Sequence, residues 1–202
     1  MKKIADGLYE TICEINLHKL KNSCNLIYSQ IENLPIDSHW FGNDGQKDAP
    51  KTTKTNLQYN IFTFVYPQIH NLFKTIQNNF YLCEKDYYSK NLKCNYFLQG
   101  WLNVYKKDQF LDWHSHHYNI ARGWHGFFCV DAELSSTLYK FENNSIIEVP
   151  STNNKLVLGL CANNYHKTNP WHNVYKNRVT IAFDIIPEIG LKQFSPNHWI
   201  PI

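Results

Sequence analysis

The feature that most limits the possible folds is a series of short β-type segments in the second half of the chain. From residue 95 onward, β-branched and aromatic residues gather in runs that are separated by turn-forming Asn, Pro and Ser residues. No helical pattern lies between these runs, which favours antiparallel sheets over a parallel α/β arrangement. We therefore predict a mainly β protein with flanking helices, built as a jelly roll. The predicted strands cover residues 96–105, 110–118, 123–131, 136–141, 146–149, 155–162 and 178–186.

The beginning of the chain carries a weaker pattern. The run Asn-Leu-Ile-Tyr at residues 25–28 predicts a strand, and the turn-rich stretch 33–54 predicts a loop that crosses the domain. Its Gly- and Pro-rich part, residues 41–50, is either a lid over a pocket or an irregular connection.

An amphipathic helix is predicted between residues 58 and 79, where apolar residues recur every three or four positions. Pro67 is expected to kink or split this helix because proline removes a helical hydrogen bond. We predict an extension over residues 1–94 that packs on a core over residues 95–202. A chain of 202 residues has the length of one compact domain.

Composition excludes several classes of protein. A hydrophobic content of 43% with 18% charged residues excludes general disorder, and no run approaches the roughly 18 apolar residues of a membrane span. The first residues place an acid and a glycine before any apolar run, so we expect no secretory signal. Six cysteines without a C-x-x-C pair predict reduced thiols and a cytoplasmic protein. The net charge of +3 is too small to indicate a nucleic-acid partner, although it does not exclude one. We find no basic patch in the sequence.

The densest chemical signal is the segment Asp-Trp-His-Ser-His-His at residues 112–117. On a strand, residues two apart share a face, so His114 and His116 are expected to point the same way and His117 the opposite way. Two imidazoles about 6–7 Å apart on one face suit two adjacent ligands of a divalent metal. A surface cluster or hydrogen-bonded core histidines would give the same pattern.

A third metal ligand has to come from elsewhere in the chain. His166 is the best candidate because it follows an apolar strand and a turn, and precedes the last long strand. In a jelly roll, this position lies beside the early histidine pair. The other histidines downstream are His125, His172 and His198.

The last predicted strand presents an unusual polar face. Its apolar face alternates with a second face that carries Arg178, Thr180, Ala182 and Asp184. Only two of the 20 basic residues are arginine, and a buried guanidinium needs an anionic partner, which it binds in a bidentate way that lysine cannot match. Either this face lines an interior cavity, or it is an ordinary face exposed to solvent, on which Arg178 forms a surface ion pair.

An amide and a phenol form a third, weaker signal. Asn103 and Tyr105 share a strand face and precede His114 by about ten residues. Polar residues of this kind also occur in ordinary strands.

In their order and spacing, Asn-x-Tyr, His-x-His, a distant His and Arg-x-Thr resemble the Fe(II)/2-oxoglutarate-dependent oxygenase superfamily. The surrounding sequence is similar to that of prolyl-4-hydroxylase-like members from phages, other viruses and marine microbes, and Asn-x-Tyr is similar to the nucleic-acid-demethylase branch. The resemblance covers about residues 95 to 187, whereas residues 1–94 resemble no known family.

The resemblance implies a double-stranded β-helix and a set of functional residues. His114, His116 and His166 would hold Fe(II), and Arg178 and Thr180 would bind the distal carboxylate of 2-oxoglutarate. Further hydrogen bonds would come from Asn103 or Tyr105. With O2, and ascorbate in an assay, the enzyme would hydroxylate a protein side chain or small molecule and release succinate and CO2.

One position departs from the family pattern, because His116 stands where the family has Asp or Glu. Either a three-histidine site replaces the usual two histidines and one carboxylate, or Asp112 completes the site, or a bulge brings in His117. Zinc or nickel would also fit three histidines, so the metal is open.

Three further residues have weaker assignments. His172 is the reserve for the distal ligand, and His125 is expected to have a structural or supporting role. Arg122 would meet either a substrate carboxylate or solvent.

Two other functions remain alternatives to the oxygenase. One is a cupin-like three-histidine dioxygenase that does not use 2-oxoglutarate, and the other is a non-enzymatic jelly-roll binding module.

Overall fold

The computed structural model describes residues 1–36, 47–89, 94–117, 119–162, 164–192 and 198–202. Within these ranges the strands are β1 (Lys2–Ala5), β2 (Leu8–Ile12), β3 (Tyr96–Tyr105), β4 (Trp124–Asp131), β5 (Ser136–Phe141), β6 (Ile146–Pro150), β7 (Lys155–Leu160), β8 (Asn164–Thr168), β9 (Arg178–Pro187) and β10 (Ile200–Pro201). The α-helices are α1 (Leu17–Ile31), α2 (Lys51–Lys54), α3 (Pro67–Tyr88) and α4 (Glu188–Leu191). Short 3₁₀ turns lie at Asn56–Gln58 and Ile61–Thr63.

The strands form two antiparallel sheets. The larger sheet has the order β1-β2-β7-β4-β9-β3-β10, and the smaller has the order β6-β5-β8. A small apolar core joins them, because Phe127 and Val157 of the larger sheet pack with Tyr139 and Val149 of the smaller one. After β3 the chain passes from the larger sheet (β4) to the smaller one (β5 and β6), returns to the larger one (β7), and repeats this exchange with β8 and β9. The two antiparallel sheets confirm the predicted jelly roll with flanking helices.

The main core lies on the other face of the larger sheet, where α1 and α3 pack. Leu20 and Ile27 of α1 and Leu72 and Phe80 of α3 are fully buried against that face. The strand β9 shows how the sequence separates the two faces. Its apolar residues, Val179, Ile181, Phe183 and Ile185, all belong to this helix-covered core.

The prediction of a strand at residues 25–28 is wrong, since these residues lie within α1. The buried residues of α1, Leu20, Cys24, Ile27 and Ile31, recur at helical spacing, and the short β-like run hid this longer period. The side chain of Asn16 caps the helix by accepting a hydrogen bond from the Lys19 backbone N–H at 3.0 Å.

The N-terminal strands β1 and β2 were not predicted, and they extend the larger sheet. Strand β2 pairs with β7 over its whole length. The proposed division at residue 94 therefore falls between segments that share one sheet.

Pro67 begins α3 at its first helical position, where the missing N–H causes no loss. The predicted helix is thus split at Pro67, with only a 3₁₀ turn before it, and α3 continues to Tyr88. Residues 37–46, which include most of the candidate lid, lie outside the described residues.

The prediction of a strand at residues 110–118 is wrong over most of its length. The described part forms one isolated bridge, between His114 and His166. Strand β8, in turn, was not predicted, because only a turn was assigned around residues 163–164 and the five-residue strand after it is polar.

Two further predictions concern the chain as a whole. All six cysteines are free thiols, as the absence of paired spacing indicated. None of the helices formed by the described residues has the length and hydrophobicity needed to cross a bilayer.

A buried carboxylate joins α3 to the larger sheet. Glu84 accepts hydrogen bonds from the Tyr96 hydroxyl at 2.6 Å and the Trp124 indole N–H at 2.8 Å. The Arg122 guanidinium also donates to it at 3.0 Å and stacks over the Tyr88 ring. Arg122 therefore has a structural partner on the helix-covered face, and the interpretation of a substrate-binding arginine is not supported.

We predict that Glu84→Ala lowers the free energy of unfolding by about 3 kcal/mol, because two buried donors and the partly buried Arg122 lose their acceptor. Urea unfolding with an unchanged m-value measures this loss. The matched control is Lys85→Ala, an exposed neighbour on α3, which should stay within about 0.5 kcal/mol of the unmodified protein. Equal losses in both variants would contradict the assigned role.

Candidate metal centre and its cavity

The bridge between His114 and His166 brings two distant parts of the chain into contact. The His114 N–H donates to the His166 carbonyl at 3.0 Å, and the His166 N–H donates to the His114 carbonyl at 2.9 Å. On the other edge of β8, His166 pairs with Tyr139 of β5. The backbone of His166 is therefore held from both sides.

Three imidazoles meet at this bridge. In His114, His116 and His166, one potential ligand atom from each side chain lies within 4.8 Å of the others. Their ring centroids are 4.2 to 5.1 Å apart. Side chains at this separation suit the coordination of one divalent cation. The three predicted ligands thus converge in the structure.

Each member of the His114–His116 pair has a different partner at its Nδ1 atom. Nδ1 of His114 lies 2.7 Å from the carbonyl oxygen of Asp112. Nδ1 of His116 lies 2.8 Å from Oδ1 of Asp184. The Asp112 carboxylate instead accepts a hydrogen bond from the Trp113 backbone N–H at 2.8 Å, and it is not part of the three-residue group.

His117 does not point away from its neighbour, contrary to the expectation for a regular strand. Its Nε2 lies 3.0 Å from Oδ2 of Asp184, so both oxygens of this carboxylate face a histidine. The backbone of His117 has a φ of 40°, in the left-handed region. This conformation breaks the two-residue alternation and brings His116 and His117 to the same carboxylate.

Burial keeps two of the three clustered imidazoles, those of His114 and His166, neutral. It lowers the pKa of His114 from 6.5 to about 3, and the charge of His116 acts in the same direction. Burial likewise lowers the pKa of His166 well below 6.5, with a further contribution from His114. Neutral imidazole is the form that binds metal, so these rings are ready to act as ligands near pH 7.

Asp184 has the opposite environment. Burial by itself raises its pKa, but the electrostatic attraction of His116 and His117 outweighs this effect and holds the pKa well below 3.8. Burial lowers the pKa of His117, yet Asp184 raises it above 6.5 overall. Asp184 is therefore a carboxylate anion beside the three-imidazole group.

A fourth histidine lies beside this group. The His125 ring stacks on the rings of His116 and His166, with centroids 5.1 and 4.5 Å apart. Its buried Nε2 has no hydrogen-bond partner. A side chain at Gly159, the pairing partner of His125 on β7, would lie 2.9 Å from that nitrogen, so the glycine leaves room for the ring. The inward alternation of His125 with Phe127 and Cys129 was the available sequence signal for this position.

The imidazole group lies in a cavity of about 750 Å³ between the two sheets. Antiparallel register explains which polar side chains share it, because directly opposed residues point to the same face. Tyr105 pairs with Arg178, and Asn103 pairs with Thr180. All four line the cavity, as their predicted roles require, and Thr53 of α2 donates a hydrogen bond to the Asn103 side chain.

Arg178 is only 2% exposed and incompletely paired. Its Nε donates to the Ser135 hydroxyl at 2.8 Å, and its guanidinium carbon lies 4.7 Å from the Tyr105 ring centroid. Its buried NH1 group has no partner, and no described carboxylate forms an ion pair with it. A surface ion pair therefore does not explain this arginine.

The reserve ligand His172 does not reach the cavity. Its side chain is 78% exposed and lies 3.7 Å from Asp108. His198 lines the cavity but is not part of the three-histidine group.

We predict that the metal-free protein loses stability as the pH falls from about 6.5 toward 3. Burial lowers the pKa of both His114 and His125 to about 3, so the unfolded chain binds more protons than the folded chain in this window. His125→Gln should flatten the dependence by up to one proton, or about 1.4 kcal/mol per pH unit. Urea unfolding across the window measures the slope. His172→Gln, the exposed control, should keep the original slope, and an unchanged slope in His125→Gln would contradict the prediction.

Comparison with known proteins identifies the fold although the sequence has diverged far. No sequence family model and no curated protein matches the chain. The structure is similar to a prolyl-4-hydroxylase from Pseudomonas putida (TM-score 0.62, 10% identity, 90% of this chain and 94% of that one). It is also similar to a Trichoplax adhaerens prolyl hydroxylase solved with a hypoxia inducible factor peptide fragment (TM-score 0.64, 8% identity, 95% of this chain and 88% of that one). A third match is SnoK, a non-heme alpha ketoglutarate dependent carbocyclase from nogalamycin biosynthesis (TM-score 0.63, 10% identity, 98% of this chain and 92% of that one). The chain therefore has the jelly-roll fold of prolyl-4-hydroxylases and other 2-oxoglutarate/Fe(II) oxygenases.

Proposed function

We propose that this protein is an Fe(II)- and 2-oxoglutarate-dependent oxygenase that hydroxylates a protein side chain or a small molecule. The observation that carries the proposal is the presence, in one cavity, of three converging imidazoles and a buried guanidinium with an unpaired NH1 group. The first is a site for a divalent metal, and the second is a site for a carboxylate.

The donor set fits iron. His114, His116 and His166 would hold it, since neutral imidazoles are good ligands for Fe(II). The Nδ1 atom of His166 is buried without a hydrogen-bond partner, so this nitrogen is free to accept a further polar contact. Three protein ligands also leave coordination positions for a co-substrate and for O2.

The other end of the cavity fits the distal carboxylate of 2-oxoglutarate. Arg178 would pair with that carboxylate through its unpaired NH1 group, and the Thr180 hydroxyl would donate a hydrogen bond. Asn103 and Tyr105 stand opposite these two residues on β3 and would fix the orientation of the co-substrate. The cavity would thus offer a binding partner to each end of this small diacid.

When bound, iron with 2-oxoglutarate and O2 supplies the oxidising chemistry, and succinate and CO2 leave as co-products. The contribution of the protein is to position these groups and exclude water. Trp101 stacks on the His116 ring, with centroids 5.9 Å apart, and shields the imidazole group on that side. Tyr139, on the smaller sheet, stacks on the His166 ring, with centroids 5.3 Å apart.

The remaining cavity wall indicates an uncharged reacting group in the substrate. Among the described lining residues, Arg178 is the only Lys or Arg and Asp184 the only acid. The part not assigned to the co-substrate includes Leu57, Gln99 and Trp199. A proline or another neutral side chain would suit this surface, and a protein of the same fold was solved with a peptide bound. A single lining cation gives no support for a nucleic-acid substrate.

We predict that His166→Ala weakens the binding of Fe(II) or Co(II) by at least about tenfold, because one of three ligands is removed. Anaerobic calorimetric titration of the metal-free protein measures the affinity and the stoichiometry. His172→Ala is the matched control and should bind one metal ion with the original affinity. If the unmodified protein binds no divalent metal, the result would favour a non-enzymatic binding module.

We predict that Arg178→Ala weakens 2-oxoglutarate binding to the metal-loaded protein by about 30-fold or more, since a buried charge pair is lost. Metal affinity should be unchanged, and Arg178→Lys should be intermediate because lysine offers no bidentate fork. Titration with 2-oxoglutarate and succinate release with ascorbate provide the readouts. Metal binding without any 2-oxoglutarate binding would favour the three-histidine dioxygenase instead.

A further inference from the structure

We propose that Asp184 is a positioning residue for the metal centre: it holds His116 through Nδ1, directs Nε2 to the cation, and supplies the negative charge that three imidazoles lack. This inference rests on the proposed metal site and identifies a residue that the sequence pattern did not assign to it. It places the carboxylate behind the histidine rather than on the metal.

Geometry is the first support. Oδ1 of Asp184 lies 2.8 Å from Nδ1 of His116, in ion-pair contact, and yet makes no aligned hydrogen bond. An imidazole that donates its Nδ1–H to a carboxylate keeps the Nε2 lone pair free for a metal. A cation at Nε2 would fix the His116 ring and allow this contact to align.

The second support is the rigid placement of the carboxylate. Asp184 is only 4% exposed, and it lies on β9 directly opposite His125 of β4. Oδ2 is 3.0 Å from Nε2 of His117, so each oxygen has its own imidazole neighbour. A carboxylate held in this way can orient His116 without rotating.

Charge is the third support. His114 has a neutral partner, the Asp112 carbonyl, so it brings no negative charge to the site. Among the described residues that line the cavity, Asp184 is the only acid. Without it, a divalent cation with three neutral ligands would lie in the cavity with no compensating anion until the co-substrate binds.

The first experiment is a titration of the metal-free protein with Zn(II) or Co(II) alone. Asp184→Asn keeps the size of the side chain and removes its charge, and should weaken metal binding about 10- to 100-fold. Asp184→Glu should recover part of the affinity. Asp131→Asn is the matched control, because Asp131 is also a buried acid on the larger sheet, paired with Lys21 and Lys176 outside the cavity. It should lower stability and leave metal affinity unchanged.

A second readout separates a positioning role from structural damage. In Asp184→Asn saturated with metal, 2-oxoglutarate should bind as tightly as in the unmodified protein or up to several-fold more tightly, because the site is more positive. Structural damage would weaken both ligands together. Loss of co-substrate affinity in parallel with metal affinity would overturn the proposal.

A third readout uses the unmodified protein and does not depend on the folding of a variant. In the Zn(II)-loaded protein, long-range ¹H–¹⁵N spectra should show His116 protonated at Nδ1 and bound to metal at Nε2. Ligation through Nδ1, or equal metal affinity in Asp184→Asn, would overturn the role of Asp184. Failure of the unmodified protein to bind 2-oxoglutarate would reject only the oxygenase, since these metal titrations contain no co-substrate.

Discussion

The candidate metal centre depends on one long-range interaction, the reciprocal pair of backbone hydrogen bonds between His114 and His166. These residues are separated by about fifty positions in the sequence, and their bridge is the one isolated β-bridge in the described part of the chain. Beside it, the Thr168 N–H donates to the Leu111 carbonyl at 2.9 Å. Since β8 is itself fixed to β5, the bridge transfers the rigidity of the smaller sheet to an otherwise irregular segment. If the three histidines bind a metal, as proposed, no ion would be needed to bring them together, which would reduce the conformational entropy lost on binding.

Strand β9 organises the rest of the cavity. Its helix-covered face is wholly apolar, whereas its cavity face carries a cation near one end and an anion near the other. Arg178 and Asp184 are six residues apart, which corresponds to roughly 20 Å along a strand. This distance separates the two charges so that neither neutralises the other, and Arg178 is left with an unpaired NH1 group. The alternation of one strand thus creates both the proposed anion site and the contact of Asp184 with His116.

The parts of this structure that could be predicted from sequence are those in which apolar and polar residues alternate over a short stretch of chain. The strands at Tyr96–Tyr105 and Ser136–Phe141 follow from composition and turns, and the two faces of β9 follow from strict alternation. The convergence of His166 with the early pair required the order of strands in a jelly roll. Helix α1 was missed because a short β-like run masked its longer period, and β8 because its residues are polar.

The role of Asp184 could be predicted only in part, for a physical reason. Alternation placed it on the same face as Arg178, but its contact with His116 depends on the left-handed backbone of His117. The position of His125 beside the imidazole group depends similarly on the β4–β9 register, which the sequence does not specify.

The exchange of a carboxylate ligand for a histidine backed by a carboxylate has an electrostatic consequence. A ligating oxygen lies about 2 Å from a metal ion, whereas a carboxylate behind an imidazole ring is roughly three times farther away. Because Coulomb energy falls with distance, Asp184 offsets less of the metal charge than a direct ligand would. In the proposed metal centre, the cation would therefore keep more of its attraction for an anionic co-substrate, while Asp184 would still restrain His116. Arg178 would add a second, distant attraction for the other end of the same diacid. In this arrangement, affinity for a dianion would come from both ends of the cavity, and its orientation would come from the fixed separation between them.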